Sequence, residues 1–194
     1  MNYTHDVFIS YRRVRKLRDW IEKYFYGQFR DALELELGRE PRLFWDEEGV
    51  SEGDLWEEKI LDGLKSAICM VSILSKPYFQ SPWCLAEWQT FWKRSEVVDL
   101  KLSSLIFPIR WHDGDDYPDF AKAIKPIDFR EYAVTAAAFE FTQQFLDYEV
   151  MLKRFAEIVS ERVQKAPAYS DQWPVVKPDN ISTSSETENW KHEL

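Results

Sequence analysis

Ile68-Cys-Met-Val-Ser-Ile-Leu74 is a nearly continuous apolar run, broken only by Ser72. A strand with one wet face would alternate apolar and polar residues; this one does not, so it reads as a central strand covered on both sides, as in a parallel sheet. The residues around it agree. Upstream, Ile60, Leu61 and Leu64 give a helix over about 55–67 an inward face, and the polar, glycine-bearing stretch 46–54 before it is a loop in which Ser51 or Asp54 can cap that helix. Leu43-Phe44-Trp45 is a short second strand. From Val14 to about Leu37, apolar residues at Leu17, Trp20, Ile21, Tyr24, Phe25, Phe29 and Leu33 recur at three- and four-residue steps, which predicts an amphipathic helix stopped by Gly38. Asp6-Val-Phe-Ile-Ser10 is the first strand.

Downstream, a loop over 75–80 leads into a helix opened by Pro82, with Trp88, Phe91 and Trp92 as apolar positions. Ser104 to Arg110 is a fourth strand that Pro108 assigns to an edge or a bulge, since proline cannot donate to a ladder. Trp111 to Phe120 is a loop and Ile127 to Arg130 a fifth strand. Phe141, Phe145, Tyr148, Leu152, Phe155 and Val159 mark a long last helix ending near Ala166. Strands alternating with helices define an α/β fold, a parallel sheet with helices on both faces. Residues 1–166 form the domain, and 167–194, rich in Pro, Ser, Thr, Asn and Asp, read as a polar, loosely ordered tail.

Composition narrows the function classes. The chain has 194 residues, 45% of them hydrophobic and 16% aromatic, enough for a substantial core. Lys plus Arg number 25 against 34 Asp plus Glu, and a net charge of -9 argues against a nucleic acid or an anionic membrane as partner. Two cysteines, Cys69 and Cys84, make no disulfide framework, and three scattered histidines make no zinc site, so no metal is expected. With no signal peptide and no apolar run of membrane-spanning length, the expected location is the cytoplasm. Asn180-Ile-Ser182 and the final Lys-His-Glu-Leu then read as coincidences.

In such sheets ligands bind beyond the carboxyl ends of the strands. The residues following the strands, 11–13, 46–54, 75–79 and 111–116, gather at that rim, where the helix of Ser81-Pro-Trp-Cys-Leu-Ala-Glu-Trp-Gln89 also starts. Trp83 and Glu87 stand four residues apart on one helix face. A ring there can stack on a base or a sugar, and a carboxylate can stabilise developing positive charge, as splitting a nucleotide's glycosidic bond requires. Trp83 reads equally as a core residue, and Arg12 and Arg13 equally as pyrophosphate ligands or a solvated strand end. Cys84 has no histidine nearby in sequence and packs as a small hydrophobe. No Gly-x-Gly-x-x-Gly follows the first strand and no Gly-x-x-x-x-Gly-Lys occurs, which disfavours a redox nucleotide cofactor and a phosphate-cradling loop. A receiver domain would need acidic residues where Ser10-Tyr11-Arg12 stand.

Three motifs taken in order carry a family resemblance. Asp6-Val-Phe-Ile-Ser-Tyr-Arg-Arg13, Phe44-Trp-Asp-Glu47 with its following loop, and Ser81-Pro-Trp-Cys-Leu-Ala-Glu87 resemble a Toll/interleukin-1 receptor (TIR) domain over roughly residues 5–165. The resemblance implies a flavodoxin-like, three-layer fold with a five-stranded parallel sheet. It also implies one of two functions. Some TIR domains are enzymes that cleave NAD at the nicotinamide–ribose bond with a glutamate on the third helix; others are scaffolds that act by TIR–TIR association.

Glu87 matches the catalytic glutamate and Trp83 an aromatic residue lying against the substrate. The candidates for substrate contact are Trp83 with the rim residues Ser10, Tyr11, Arg12, Trp45, Asp46, Ser75 and Tyr78. The expectation is an NAD glycohydrolase or cyclase, consuming NAD as substrate and using no cofactor. Its products are nicotinamide and ADP-ribose or a cyclic isomer, as in free-standing bacterial TIR proteins of anti-phage defence. Other TIR protomers are expected partners through the loop at 46–54, and a downstream receiver of the nucleotide signal is a further one. The alternatives are a non-catalytic TIR scaffold and another glycosyl-transferring enzyme such as a nucleoside deoxyribosyltransferase.

Overall fold

The computed structural model describes residues 2–45, 54–98, 105–113 and 117–180. Strands β1 (His5–Tyr11), β2 (Leu43–Phe44), β3 (Ala67–Leu74), β4 (Ile106–Arg110) and β5 (Ile127–Asp128) form one all-parallel sheet in the order β2-β1-β3-β4-β5. β3 lies at its centre and is buried at every residue, as its apolar run requires.

Side chains alternate across a strand, and β1 shows what this does. Val7, Ile9 and Tyr11 join the cluster made with α1 (Arg15–Trp20), α2 (Tyr26–Leu37) and α6 (Gln143–Gln164). Phe8 joins the opposite cluster, made with α3 (Asp54–Ser66), α4 (Pro82–Val97) and the short α5 (Asp119–Lys122). The result is the three-layer, flavodoxin-like α/β architecture. Gly63 sits in α3 where an added Cβ would come 2.7 Å from the Phe44 ring, so its lack of a side chain lets α3 lie close on β2.

The structure adjusts several boundaries. The first helix is interrupted by a π turn over Ile21–Phe25 between α1 and α2. This slower winding keeps Trp20, Ile21, Tyr24 and Phe25 all buried, with ring centroids of Trp20 and Phe25 at 5.4 Å and of Phe25 and Phe29 at 5.1 Å. Gly38 ends α2 in the left-handed region at φ 66°, as a C-terminal glycine does. Pro108 is one strand in from the edge: β5 pairs only with Ile109 and Arg110, so no ladder bond to β5 is asked of it. Phe141, expected on the buried face of the last helix, is 89% exposed, because Thr142 caps α6 and Phe141 precedes the helical phase.

The expectation of a loosely ordered segment from 167 onward is corrected for 167–180. Trp173 and Val176 are buried, the Val176 N–H donates to Thr90 Oγ1 on α4 at 2.9 Å, and Lys177 Nζ lies 3.4 Å from Glu57 Oε1 on α3. Two apolar anchors suffice to seat a segment whose average composition is polar. Residues 181–194 lie outside the described part.

Candidate active site

α4 begins where β3 has ended, so its first turns stand at the carboxyl rim. Ser81 is its N-cap, accepting from the Cys84 N–H at 3.4 Å, and Pro82 occupies a first-turn position where no donor is needed. Glu87, one turn further in, points down into the interface between α4 and the sheet. It is buried, at 7% exposure.

Ser10 meets it there. It has the parity of Phe8, not of Ile9 and Tyr11, and so faces α4, where Ser10 Oγ–H donates to Glu87 Oε2 at 2.5 Å. Ser10 Oγ is also 2.6 Å from the hydroxyl of Tyr78, a wholly buried residue in the 3₁₀ turn Tyr78–Gln80. Three residues from three segments thus form a closed polar chain inside an apolar layer. No ion pair to Glu87 forms among the described residues. Burial pushes its pKa up to about 8, and the Ser10 hydrogen bond and the charge of Arg13 only partly counter that. Burial also pushes up the Tyr78 hydroxyl and the thiol of Cys84, a buried free cysteine, which disfavours its reactive thiolate form.

The other candidates are distributed as follows. Trp83 is half-buried, with the Trp56 ring of α3 edge-on to it at 4.8 Å and 73°, and the Arg13 guanidinium lies 5.5 Å from the centre of the Trp56 ring. Arg12 Nη1 donates to Ser81 Oγ at 3.4 Å, which brings it to the start of α4. Ser75 is buried at the end of β3, and its Oγ has no partner among the described residues.

Tyr11 and Trp45 are not brought to Glu87. Their rings stack at 6.1 Å on the opposite face of the sheet, where Tyr26 of α2 stacks on Trp45 at 5.0 Å. Strand alternation turns Tyr11 away from Ser10. Asp46 lies outside the described residues, as do Ser51 and 47–53 of the expected loop. Trp56 was missed by sequence reasoning; it follows the helix start at Asp54, and only its aromatic character within a turn of the loop could have flagged it.

A parallel sheet ordered 2-1-3-4-5 defines the flavodoxin-like class of α/β domain, and the buried carboxyl stands under the carboxyl rim, where sheets of this class bind ligands. The chain belongs to the TIR domain family, whose model matches residues 7–143. Among solved structures it is similar to the TIR domain of the Toll-related receptor TRR-2 from Hydra magnipapillata, at 19% identity over 74% of this chain and 98% of that one, with a TM-score of 0.47. It is similar also to the TIR domains of the activated Roq1 resistosome, a structure directly recognising the pathogen effector XopQ. There the identity is 21% over 84% of this chain and 96% of that one, with a TM-score of 0.39. No curated protein matches the sequence. No described helix is long and apolar enough to cross a membrane, and among the described residues no group of His, Cys, Asp and Glu is placed to hold a metal ion.

Proposed function

We propose that this chain is an NAD glycohydrolase or cyclase that breaks the bond between nicotinamide and ribose, with Glu87 as its catalytic residue. The observation that carries the reading is that Glu87 is a carboxyl buried at the rim whose hydrogen-bond partner, among the described residues, is a hydroxyl and not a cation. Such a group costs stability, and a merely structural site would fill the space with an apolar side chain.

The chemistry suits one carboxylate. Nicotinamide joined to ribose is cationic, and the electron pair of the breaking C–N bond neutralises it, so the leaving group needs no general acid. Positive charge moves to the ribosyl carbon, where an ionised Glu87 stabilises it in a site of low dielectric. Water then adds and loses a proton to give ADP-ribose, or a nucleophile of the same nucleotide adds to give a cyclic isomer. Trp83 offers a ring face for the departing nicotinamide, and Arg12 and Arg13 offer charge for the diphosphate. NAD and further TIR protomers are the partners of this reading, with a nucleotide receiver downstream in immune signalling.

The test is incubation of the purified full chain with NAD, at high protein concentration and with a crowding agent, with products followed by mass spectrometry. Nicotinamide release by the wild type and its loss in Glu87→Gln support the reading. An inert wild type at high concentration overturns it in favour of a non-catalytic TIR scaffold.

A further inference from the structure

Ser10 carries one hydroxyl proton and has two oxygens within hydrogen-bond range, Glu87 Oε2 at 2.5 Å and the Tyr78 hydroxyl at 2.6 Å. If Ser10 donated to Tyr78, an ionised Glu87 would face an oxygen lone pair at that short distance. With the carboxylate charged, the order is therefore forced: Tyr78 O–H to Ser10 Oγ, and Ser10 Oγ–H to Glu87.

We propose that Tyr78 is a positioning residue for Glu87, its buried hydroxyl committing the single Ser10 proton to the Glu87 carboxylate. Tyr78 is wholly buried and, among the described residues, its hydroxyl bonds Ser10 and not Glu87, so it acts through Ser10. The design makes sense because a hydroxyl polarised by a second donor is a stronger donor itself, and this pair is sealed from water at 0% and 1% exposure. Tyr78 is also held by its neighbours, with the rings of Phe79 at 4.9 Å and Trp88 at 6.5 Å, both edge-on, so packing fixes where its oxygen stands. The other groups whose charge Glu87 senses or affects are Arg13 and Tyr11 at the end of β1 and Cys84 on α4. Among the described residues the hydrogen bond to Glu87 comes from Ser10, backed by Tyr78, and it favours the ionised form directly.

The inference rests on the proposed cleavage only for its kinetic readout, and its deciding measurement is independent of activity. The substrate-free protein, labelled with ¹³C at glutamate Cδ, is titrated by NMR from pH 5 to 10, with Glu87→Gln assigning the resonance. Ser10→Ala raises the pH of the Glu87 transition by about one unit and Tyr78→Phe by about half that, whereas Ser10→Thr, which keeps the hydroxyl, restores the wild-type value. If the chain turns over NAD, a one-unit rise lowers kcat/KM about tenfold at pH 7 and leaves the alkaline plateau in place. A Glu87 transition unchanged in Tyr78→Phe overturns the inference, whatever Ser10→Ala does and whether or not the protein consumes NAD. Should Tyr78→Phe fail to fold, Tyr78→3-fluorotyrosine, isosteric and a stronger donor, must lower the Glu87 transition; no change there overturns it equally.

Discussion

Ser10 Oγ and Glu87 Oε2 lie 2.5 Å apart although 77 residues separate them in the chain. One sits at the end of an inner strand and the other one turn into a helix on a single face of the sheet. Each would be an unexplained polar residue in an apolar layer without the other.

The first consequence concerns stability. The Glu87 carboxyl, with an ordinary pKa of 4.5, is held at about 8 in the folded protein. Between these values the folded state keeps a proton that the unfolded chain has released, so stability falls as pH rises from about 4.5 to 8 and is level above. The whole span is worth at most about 5 kcal/mol. Glu87→Gln removes this slope and melts above the wild type at pH 8, by several degrees. Thermal melts of both proteins from pH 5 to 9 check it, and parallel curves contradict it.

Binding should release a proton. On the proposed function, a cationic nicotinamide ring beside Glu87 would favour the carboxylate, so at pH 7 a group that is mostly protonated in the free protein would ionise in the complex. Calorimetry in buffers of different ionisation enthalpy is expected to show close to one proton released per NAD bound by the wild type. With Glu87→Gln the binding heat becomes independent of buffer.

The opposite rim carries a structural carboxylate with the reverse sign. Asp6 is buried, and burial works to raise its pKa. Arg39 Nη1 and Nη2 at 2.7 and 2.8 Å, together with Arg42 Nη2 and N–H at 3.0 and 2.8 Å, overcome that and hold it at about 2. Its contribution is complete above its ordinary value of 3.8 and is lost as pH falls toward 2. Asp6→Asn is expected to cost about 2–3 kcal/mol at pH 7 by leaving both guanidinium groups without their anion. Urea unfolding at pH 7 and pH 3 measures this, with the difference between variant and wild type shrinking at the lower pH.

Thr90 ties the segment 167–180 to α4. Its Oγ1 accepts from the Val176 N–H at 2.9 Å and donates to the Ala86 carbonyl at 2.8 Å, while Trp173 lies over the buried Arg94 guanidinium at 5.3 Å. Thr90→Val leaves a buried N–H without its acceptor and costs about 1–2 kcal/mol. Hydrogen exchange would show faster exchange at Val176 in the variant, with β3 amides little affected; unaltered exchange at Val176 would mean that apolar packing alone seats the segment.

Much of the fold was legible because it depends on local patterns. The apolar run at 68–74 could only be an inner strand, and the alternation of strands with amphipathic helices left a parallel sheet as the way to bury them. The site was half legible. The motif led to Glu87, and the family resemblance led to Ser10, Tyr78 and Arg12. It led equally to Tyr11 and Trp45, which strand alternation carries to the other face of the sheet. Trp56 carried no comparable signal, and Trp173 and Val176 were hidden in a polar average.

The sequence by itself determined the order of the elements, the family motifs and the identity of the buried glutamate, because periodicity and spacing are properties of neighbours along the chain. Only the tertiary structure decided that Ser10 bonds that glutamate with the Tyr78 hydroxyl behind it, that Tyr11 and Trp45 do not reach it, and that burial raises its pKa to about 8. Burial and hydrogen-bond geometry depend on which segments distant in sequence share a face of the sheet, and a strand shows a helix only every second side chain.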